Sequence, residues 1–343
     1  MAIRLEPADE YMHELGPEPN FNESMYINIF DPDASVGGWF RTGNRANEGY
    51  AEMTVCLYLP PHAGASKRRV GFMFKRPNIT TNDALDAGGL TWTMVRPFEE
   101  LRIAYEGKVV LLDDPAQMAD PKTAFTDNPY AACRVDITFT GKGRSSMFGG
   151  EPDQPYETAG EEFAKGHYEQ LVEGHGVIHV GEEEWEVRGC GLRDHSWGPR
   201  FWQSPWYYRW LTANAGPDFG FMASRVAKKD GPGTRGGFVW EGGRMHLCDD
   251  VTIETEYVGS ESYHRSIKGT LRSSKTQREW RFRGEVLDLI PLRNRRSDPE
   301  GNTLVTRISE GMTRWTTDDG KVGYGLSEYL DQIIDGQPVG IAE

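Results

Sequence analysis

Apolar and polar residues alternate in short segments along the whole chain, and this alternation limits the fold more than any other feature. Successive side chains of a β-strand point to opposite faces of its sheet, so a two-residue period marks a strand with one buried face. The pattern recurs in RVDITF, residues 134–139, and in VTIETEYV, residues 251–258. In EMTVCLYL it places four apolar side chains on one face: Met53, Val55, Leu57 and Leu59. The alternation predicts an all-β protein.

Glycine is abundant enough to supply the turns between such strands. The chain holds 40 glycines among 343 residues, whereas average usage of ~7% would give roughly 24. We expect one hairpin to turn at Gly242-Gly243 and another at Glu106-Gly107-Lys108, because glycines between apolar runs favour tight turns. Without an obvious repeat of about 20 to 50 residues, a propeller or solenoid is disfavoured. The turns favour up-and-down connectivity.

Charge and hydropathy exclude two classes of partner. The formal net charge of −14 repels phosphate backbones, so we expect no nucleic-acid partner. No apolar run approaches the roughly 18 residues of a membrane-spanning helix, so no membrane span is expected. The opening stretch MAIRLEPADEYMHEL is acidic and lacks the pattern of a signal peptide. We therefore expect a cytoplasmic protein.

The familiar cofactor and metal motifs are missing from the sequence. The four cysteines form no CxxC pair, which argues against both a zinc cage and a disulfide framework: Cys56, Cys133, Cys190 and Cys248. No dinucleotide fingerprint follows a predicted strand, and no phosphate-binding loop, HExxH or GxSxG sequence occurs. We expect no cofactor and no metal, so any chemistry must come from side chains.

The stretch GCGLRDHSWGPR, residues 189–200, combines an acid–base pair with residues suited to packing. Asp194 and His195 are catalytic candidates, since histidine exchanges protons near neutral pH. Trp197 and Arg200 are suited to a cation–π contact that holds the chain in place. The flanking glycines and proline favour a bend or bulge, which would turn both candidates toward one cavity. The alternative is a purely structural motif.

A second pair of catalytic candidates lies in HYEQ, residues 167–170. On a strand, His167 and Glu169 share one face, while Tyr168 points to the other, where it is a candidate for contacting substrate. If the pair points inward, apolar walls raise the carboxyl pKa and lower the imidazole pKa, while mutual attraction opposes both shifts. Such tuning is typical of a general acid or base. The alternative is a solvated face.

Aromatic residues follow at even spacing in FWQSPWYYRWL. On a strand they would form one wall, which either packs in the core or lines a hydrophobic ligand cavity. The wall comprises Trp202, Trp206, Tyr208 and Trp210.

In GYGLSEYLDQ, Glu328 alternates with apolar positions, so we expect a second inward-pointing carboxylate there.

Three stretches resemble one family in both content and order: HYEQ at 167–170, GLRDHSWGPR at 191–200 and GYGLSEYL at 323–330. They look like relatives of the tandem lipocalin-like proteins that include hydroxyneurosporene synthase, also called carotenoid 1,2-hydratase. The resemblance implies two lipocalin-like β-barrels or sandwiches. It also implies hydration of isoprenoid double bonds or pericyclic reactions of polyketide-like substrates. By this resemblance, Asp194 and His195 match the family's Asp-His pair before a tryptophan.

These observations predict two lipocalin-like halves, residues 1–188 and 189–343. We expect a cofactor-independent lyase or isomerase that moves a proton, or water, on a hydrophobic unsaturated or hydroxylated compound. The alternatives are a carrier of an apolar small molecule and a scaffold without chemistry. A homodimer is compatible with the sequence. The glycine-rich and proline-rich stretch 140–160 is interpreted as either a lid or an insertion.

Overall fold

The computed structural model describes residues 5–62, 68–141, 147–148, 166–298 and 300–342. The chain divides into two compact units, Met1–Asp114 with Lys122–Phe201 and Pro115–Pro121 with Trp202–Glu343. Both are built from curled antiparallel sheets, which confirms the predicted tandem lipocalin-like all-β class. The division expected from the sequence, between residues 188 and 189, falls inside a strand of the first unit. Most of the stretch 140–160 lies outside the described residues.

The described residues of the first unit form ten strands. They are β1 (Phe21–Asp31), β2 (Val36–Arg45), β3 (Tyr50–Leu59), β4 (Arg69–Lys75), β5 (Leu90–Arg96), β6 (Glu100–Leu112), β7 (Tyr130–Gly141), β8 (Met147–Phe148), β9 (Gly166–Val180) and β10 (Glu183–Pro199). One α-helix is found among the described residues, α1 (Pro121–Asp127), and short 3-10 helices cover Pro7–Glu10, Ala46–Glu48, Pro115–Ala119 and Val339–Ala342. Among the described residues, no helix has the length and apolarity needed to cross a membrane.

Eight of these strands close into a ring. Their order is β10-β1-β2-β3-β4-β6-β7-β9, and β9 pairs with β10 to complete the circle. Strand β5 adds to β6, and β8 adds to β9. Every pairing is antiparallel, and the ring strands occur in chain order with only β5 and β8 intervening, so the connectivity is up-and-down as predicted.

The core of the first unit fills the ring with alternate residues of each strand. Met53, Val55, Leu57 and Leu59 all belong to it, which confirms the face predicted from EMTVCLYL. The other face of β3 is also buried, since Cys56 is inaccessible to solvent, so this strand is not half-exposed. Other core members are Met25, Ile27, Ile29, Ile103, Val135, Ile137, Phe139 and Val172.

The hairpin predicted at Glu106-Gly107-Lys108 was wrong. Strand β6 continues through Gly107, which lies opposite Cys133 of β7. A Cβ at Gly107 would lie 2.5 Å from the Tyr105 hydroxyl, which itself donates a hydrogen bond to the Lys108 carbonyl at 2.8 Å. The glycine therefore makes room for a tyrosine that folds back along its own strand, and it does not mark a turn.

The described residues of the second unit form an antiparallel sheet. Its strands are β11 (Tyr207–Asn214), β12 (Phe219–Ala227), β13 (Thr234–Glu241), β14 (Arg244–Cys248), β15 (Asp250–Val258), β16 (Tyr263–Ser273), β17 (Arg278–Ser297), β18 (Thr303–Thr317), β19 (Val322–Ile334) and β20 (Gln337–Pro338). Their order is β14-β13-β12-β11-β19-β18-β17-β16-β15, and β20 adds to β19. Gly242 and Gly243 have φ values of +58° and +76° at the β13–β14 turn, which confirms that hairpin.

Candidate functional site

Strand β10 carries the two central candidates on opposite faces. His195 lies opposite Met25 of β1, a member of the barrel core, so its side chain faces inward. Asp194 lies opposite Tyr26 of β1 and Glu169 of β9, and it faces away from the core. The two neighbours therefore belong to two different sites.

Gly198 has a φ value of +120°, but the prediction that a bend turns both Asp194 and His195 toward one cavity was wrong. From Arg193 to Pro199 the pairing with β1 runs without a register shift. A Cβ at Gly191 would lie 1.7 Å from the Asn28 carbonyl oxygen of β1, so this glycine allows two backbones to approach closely. The glycine serves the packing of the ring, and the alternation of side chains along β10 is preserved.

The inner cluster consists of His13, Glu23 and His195. Glu23 Oε1 lies 2.7 Å from His195 Nε2 and 2.9 Å from His13 Nδ1. The other carboxylate oxygen accepts hydrogen bonds from the His13 amide at 3.1 Å and from Asn82 Nδ2 at 3.3 Å. The carboxylate thus holds one imidazole from the N-terminal segment and one from β10.

The electrostatics of the inner cluster favour an ionised Glu23. Burial alone would raise the pKa of this carboxyl, but hydrogen bonds and charge from His13 and His195 outweigh burial and lower it to about 2. An ionised carboxylate only accepts hydrogen bonds, so both imidazole nitrogens that face it carry protons. His195 Nδ1 is buried and has no hydrogen-bond partner among the described residues.

Aromatic rings pack around the inner cluster. Trp197 stacks on His13 with a centroid distance of 3.7 Å and an angle of 12°, and it meets the edge of His195 at 5.4 Å. Tyr168 approaches His195 from another side at 5.5 Å. Arg200 donates to Ser196 Oγ at 2.7 Å. The packing role expected of Trp197 is therefore directed at the two histidines.

A buried ion pair supports this cluster. Both oxygens of Glu10 accept hydrogen bonds from Arg193, at 2.7 and 2.9 Å, and Glu10 also accepts from the Tyr168 hydroxyl and the Phe98 amide. Burial raises the pKa of Glu10, but the charge and hydrogen bonds of Arg193 outweigh burial, and the pKa lies below its usual value. The Tyr168 hydroxyl is committed to Glu10, so its ring contributes only packing to the cluster.

The outer cluster consists of His167, Glu169 and Asp194. His167 Nε2 lies 2.6 Å from Asp194 Oδ2 and 3.4 Å from Glu169 Oε1. As predicted, His167 and Glu169 share one face of β9, and that face points away from the barrel core. The side chains of His167 and Asp194 are 34% and 21% exposed, whereas that of Glu169 is 3% exposed. The imidazole and the Asp194 carboxylate are therefore partly accessible to solvent.

The outer cluster holds a proton on its histidine. Burial would lower the pKa of His167, but the charge and hydrogen bond of Asp194, with a smaller contribution from Glu169, raise it to about 10. Burial would likewise raise the pKa of Asp194, yet the charge and hydrogen bond of His167 lower it. At neutral pH the pair is an imidazolium beside a carboxylate. In each cluster, three nitrogen or oxygen donor atoms lie within 4.8 Å of one another.

The predicted aromatic wall belongs to the second unit and is only partly formed. Strand β11 begins at Tyr207, so Trp202 and Trp206 precede it, while Tyr208 and Trp210 share one face. The core residue Leu211 lies on the opposite face. These two aromatic side chains therefore point away from the core of the second unit.

Glu328 was expected to point inward, and this was wrong. It lies opposite Trp210 in the pairing of β11 with β19, and the Tyr208 hydroxyl donates to it. Its neighbour Tyr329 belongs to the core of the second unit. Because adjacent strand residues face opposite ways, Glu328 shares the side of Tyr208 and Trp210.

Glu10, His13 and Glu23 were missed by the sequence analysis. Glu23 did carry a signal, because in FNESMYINIFD it occupies an inward position of the period that Met25, Ile27 and Ile29 define. An acid at such a position needs a buried partner. Glu10 and His13 lie in a short irregular segment whose pattern says nothing about its contacts.

Comparison with known proteins shows a shared fold. An AttH-like protein from Nitrosomonas europaea is 14% identical, with a TM-score of 0.54 and a match covering 97% of each chain. CghA is 13% identical, with a TM-score of 0.52, over 91% of this chain and 88% of its own. Kievitone hydratase from Nectria haematococca is 12% identical, with a TM-score of 0.51, over 90% of this chain and 88% of its own.

Sequence comparison gives the family. No curated protein matches the chain. The family described as a domain of unknown function, DUF7064, matches residues 6–333. Since this match spans almost the whole length, the chain belongs to the DUF7064 family.

Proposed function

We propose that the protein is a cofactor-independent lyase or isomerase that acts on a hydrophobic unsaturated or hydroxylated compound. The observation that carries the proposal is the 2.6 Å contact between His167 and Asp194, a proton donor and a proton acceptor that are both partly exposed. The structural similarity to kievitone hydratase, whose name denotes a hydration, supports the same class of reaction. The sequence resemblance to carotenoid 1,2-hydratase relatives supports it as well.

The strength of the acid limits the substrate. An imidazolium with a pKa of about 10 is a weak acid, suited to protonate an oxygen as a C–O bond breaks and too weak for an unactivated alkene carbon. We therefore assign two kinds of substrate to this site. For loss of water, a carbonyl group acidifies the carbon next to a C–OH group; for addition of water, a carbonyl group polarises a C=C bond.

The elimination of water then needs only the side chains of His167 and Asp194, which exchange two protons with the substrate and end in their starting protonation states. Asp194 takes the proton from the acidified carbon, and the C–H electron pair forms the new C=C bond. The C–O electron pair leaves with the hydroxyl oxygen, which takes the Nε2 proton of His167 and departs as water. Asp194 returns its proton to His167 across their hydrogen bond, and hydration is the reverse sequence. Glu169 lies 3.4 Å from the imidazole and positions it.

A carrier function fits the first unit less well. Lipocalin-type carriers hold a ligand inside the barrel, but here core side chains such as Phe40, Leu57, Ile103 and Phe139 fill the ring. The accessible pair lies on the other face of β9 and β10. This geometry therefore favours a reaction at the outer cluster over ligand storage inside the ring.

The test follows hydrophobic β-hydroxy ketones and the corresponding enones in D₂O with the full chain and no added cofactor. Mass spectrometry measures loss or gain of water and deuterium at the carbon beside the carbonyl. We expect turnover by the wild type and a decrease of about a hundredfold or more in His167→Gln and Asp194→Asn. The matched control is His179→Gln, because His179 pairs with Glu184 on the same two strands at 3.0 Å.

Three results would count against the proposal. The first is an unchanged rate in His167→Gln, and the second is an absolute requirement for an added redox or nucleotide cofactor. The third is an apolar compound that copurifies with the protein and is returned unaltered after long incubation, which would favour the carrier.

A further inference from the structure

We propose that His13, Glu23 and His195 form a binding site for one divalent transition-metal ion, for which Zn²⁺ is the test ion. The three ligand atoms are His13 Nδ1, Glu23 Oε1 and His195 Nε2. This site is separate from the pair assigned to proton transfer, because it lies on the opposite face of β10.

The distances between the ligand atoms match the requirement of a single ion. Glu23 Oε1 lies 2.7 Å from His195 Nε2 and 2.9 Å from His13 Nδ1, and all three atoms lie within 4.8 Å of one another. Ligands that bind Zn²⁺ at about 2.0 to 2.2 Å in a tetrahedral site stand roughly 3.4 Å apart. The ion therefore requires the three side chains to move apart by about half an ångström and replaces the protons that now lie between the imidazoles and the carboxylate.

The donor set also selects the class of ion. Two imidazoles and one carboxylate are the protein ligands of many zinc sites and of several other first-row metal sites. Hard ions such as Mg²⁺ and Ca²⁺ prefer oxygen ligands throughout. The inner cluster is thus better suited to Zn²⁺ or Co²⁺ than to Mg²⁺.

Surrounding groups orient the ligands. The second oxygen of Glu23 is held by the His13 amide and by Asn82. His13 Nε2 lies 3.4 Å from Asp9 Oδ1, so a carboxylate is placed behind the imidazole, as is common for metal-binding histidines. Stacking on Trp197 restricts rotation of the His13 ring. Ligands held in this way lose little freedom when the ion binds.

The outer cluster offers a weaker alternative. It supplies only one imidazole, from His167, together with two carboxylates, whereas the inner cluster supplies two imidazoles. In the inner cluster the carboxylate of Glu23 is fully buried, while the His13 side chain is 19% exposed and provides a route of entry. Burial of the anion and access through one ligand favour the inner cluster.

Binding would join parts of the chain that are distant in sequence. His13 belongs to the N-terminal segment, Glu23 to β1 and His195 to β10. The expectation of no metal rested on short motifs, which cannot reveal ligands separated by 172 residues. An ion at this position would stabilise the docking of the N-terminal segment on the barrel.

The experiment uses the full chain after treatment with a chelator and its removal. Calorimetric titration with ZnCl₂ and visible absorption with CoCl₂ measure the stoichiometry and the ligand field. We expect one equivalent of ion per chain and a Zn²⁺-dependent rise in melting temperature. His13→Gln should weaken binding by at least about tenfold and abolish that rise.

Two control variants keep the outcome decisive. His179→Gln removes an exposed histidine outside both clusters and should bind Zn²⁺ as the wild type does. Asp194→Asn disrupts the outer cluster alone and should also bind normally. Fewer than one equivalent, normal binding in a folded His13→Gln variant, or loss of binding in Asp194→Asn would overturn the proposal. Since His13 belongs to the segment before β1 and not to a strand of the ring, its variant tests the site even if His195 variants do not fold.

Discussion

Asp194 and His195 are adjacent in the chain, yet one contacts His167 and the other contacts Glu23, on opposite sides of the same strand. A single short motif therefore contributes to two polar clusters on opposite faces of one strand. The clusters are close enough to interact, since the charge of His195 is among the causes that lower the pKa of Asp194, and effects of neighbouring substitutions are in general not additive. Variants of either cluster are therefore compared with control variants outside both.

His167 should make the protein less stable as the pH rises above neutrality. Its pKa is raised from 6.5 to about 10 in the folded chain, so its stabilising contribution is complete below pH 6.5 and is lost as the pH rises through about 10. Urea unfolding across this range should show a shallower decline in His167→Gln than in the wild type. His179→Gln should keep the wild-type slope, and equal slopes in all three proteins would contradict the assignment.

Removing the charge of Glu10 should destabilise the first unit strongly. Glu10→Gln leaves the Arg193 guanidinium buried without its anion, and breaking one side of a buried ion pair costs about 3 to 5 kcal/mol. The free energy of unfolding in urea measures the effect. Asp136→Asn removes the exposed pair with Arg102 and should change stability by less than about 1 kcal/mol. Comparable losses in the two variants would show that burial of the Glu10 pair is unimportant.

Glu23→Gln should lower the free energy of unfolding by about 1.5 to 3 kcal/mol in metal-free protein, because two imidazoles lose a charged hydrogen-bond acceptor. Equilibrium unfolding in urea is again the measurement. The matched control is Glu184→Gln, whose side chain is 58% exposed beside His179. Wild-type stability in Glu23→Gln would mean that the inner carboxylate is dispensable.

Adding one methyl group at Gly191 should disturb the contact between β1 and β10. The new Cβ would lie 1.7 Å from the Asn28 carbonyl oxygen, and overpacking of this kind costs typically about 1 to 3 kcal/mol. Gly236→Ala is the control, because its nearest neighbour, the Cys248 carbonyl oxygen, is 3.1 Å away. Thermal unfolding of both variants separates the effect of the tight backbone approach, which should lower the melting temperature of Gly191→Ala more, from the low strand propensity of alanine, which would lower both alike.

The sequence was sufficient to predict the fold class, because the buried face of a β-strand shows as a local alternation of apolar and polar residues. Segments such as EMTVCLYL and RVDITF contain the core face directly. The hairpin at Gly107 failed for a specific reason, since a glycine that accommodates the folded-back Tyr105 looks the same in sequence as one that turns the chain.

The candidate site was only half predictable. His167, Glu169 and Asp194 come from two strands whose alternation could be read, although their orientation toward or away from the core could not. The partner of His195 could not be found, because Glu23 reaches it only when β1 closes against β10. Contacts made by ring closure depend on which strands meet, and local pattern does not encode that choice.

The closed ring of the first unit also limits how this protein can associate. Among the described residues, each of its eight strands is hydrogen-bonded on both sides, and the free edges of this sheet belong to the added strands β5 and β8. In the part of the second sheet that the structure describes, β14 and β15 each have a neighbour on one side only. Self-association through added strands, including aggregation on partial unfolding, is therefore expected to begin at β5, β8, β14 or β15 and not between the strands of the ring.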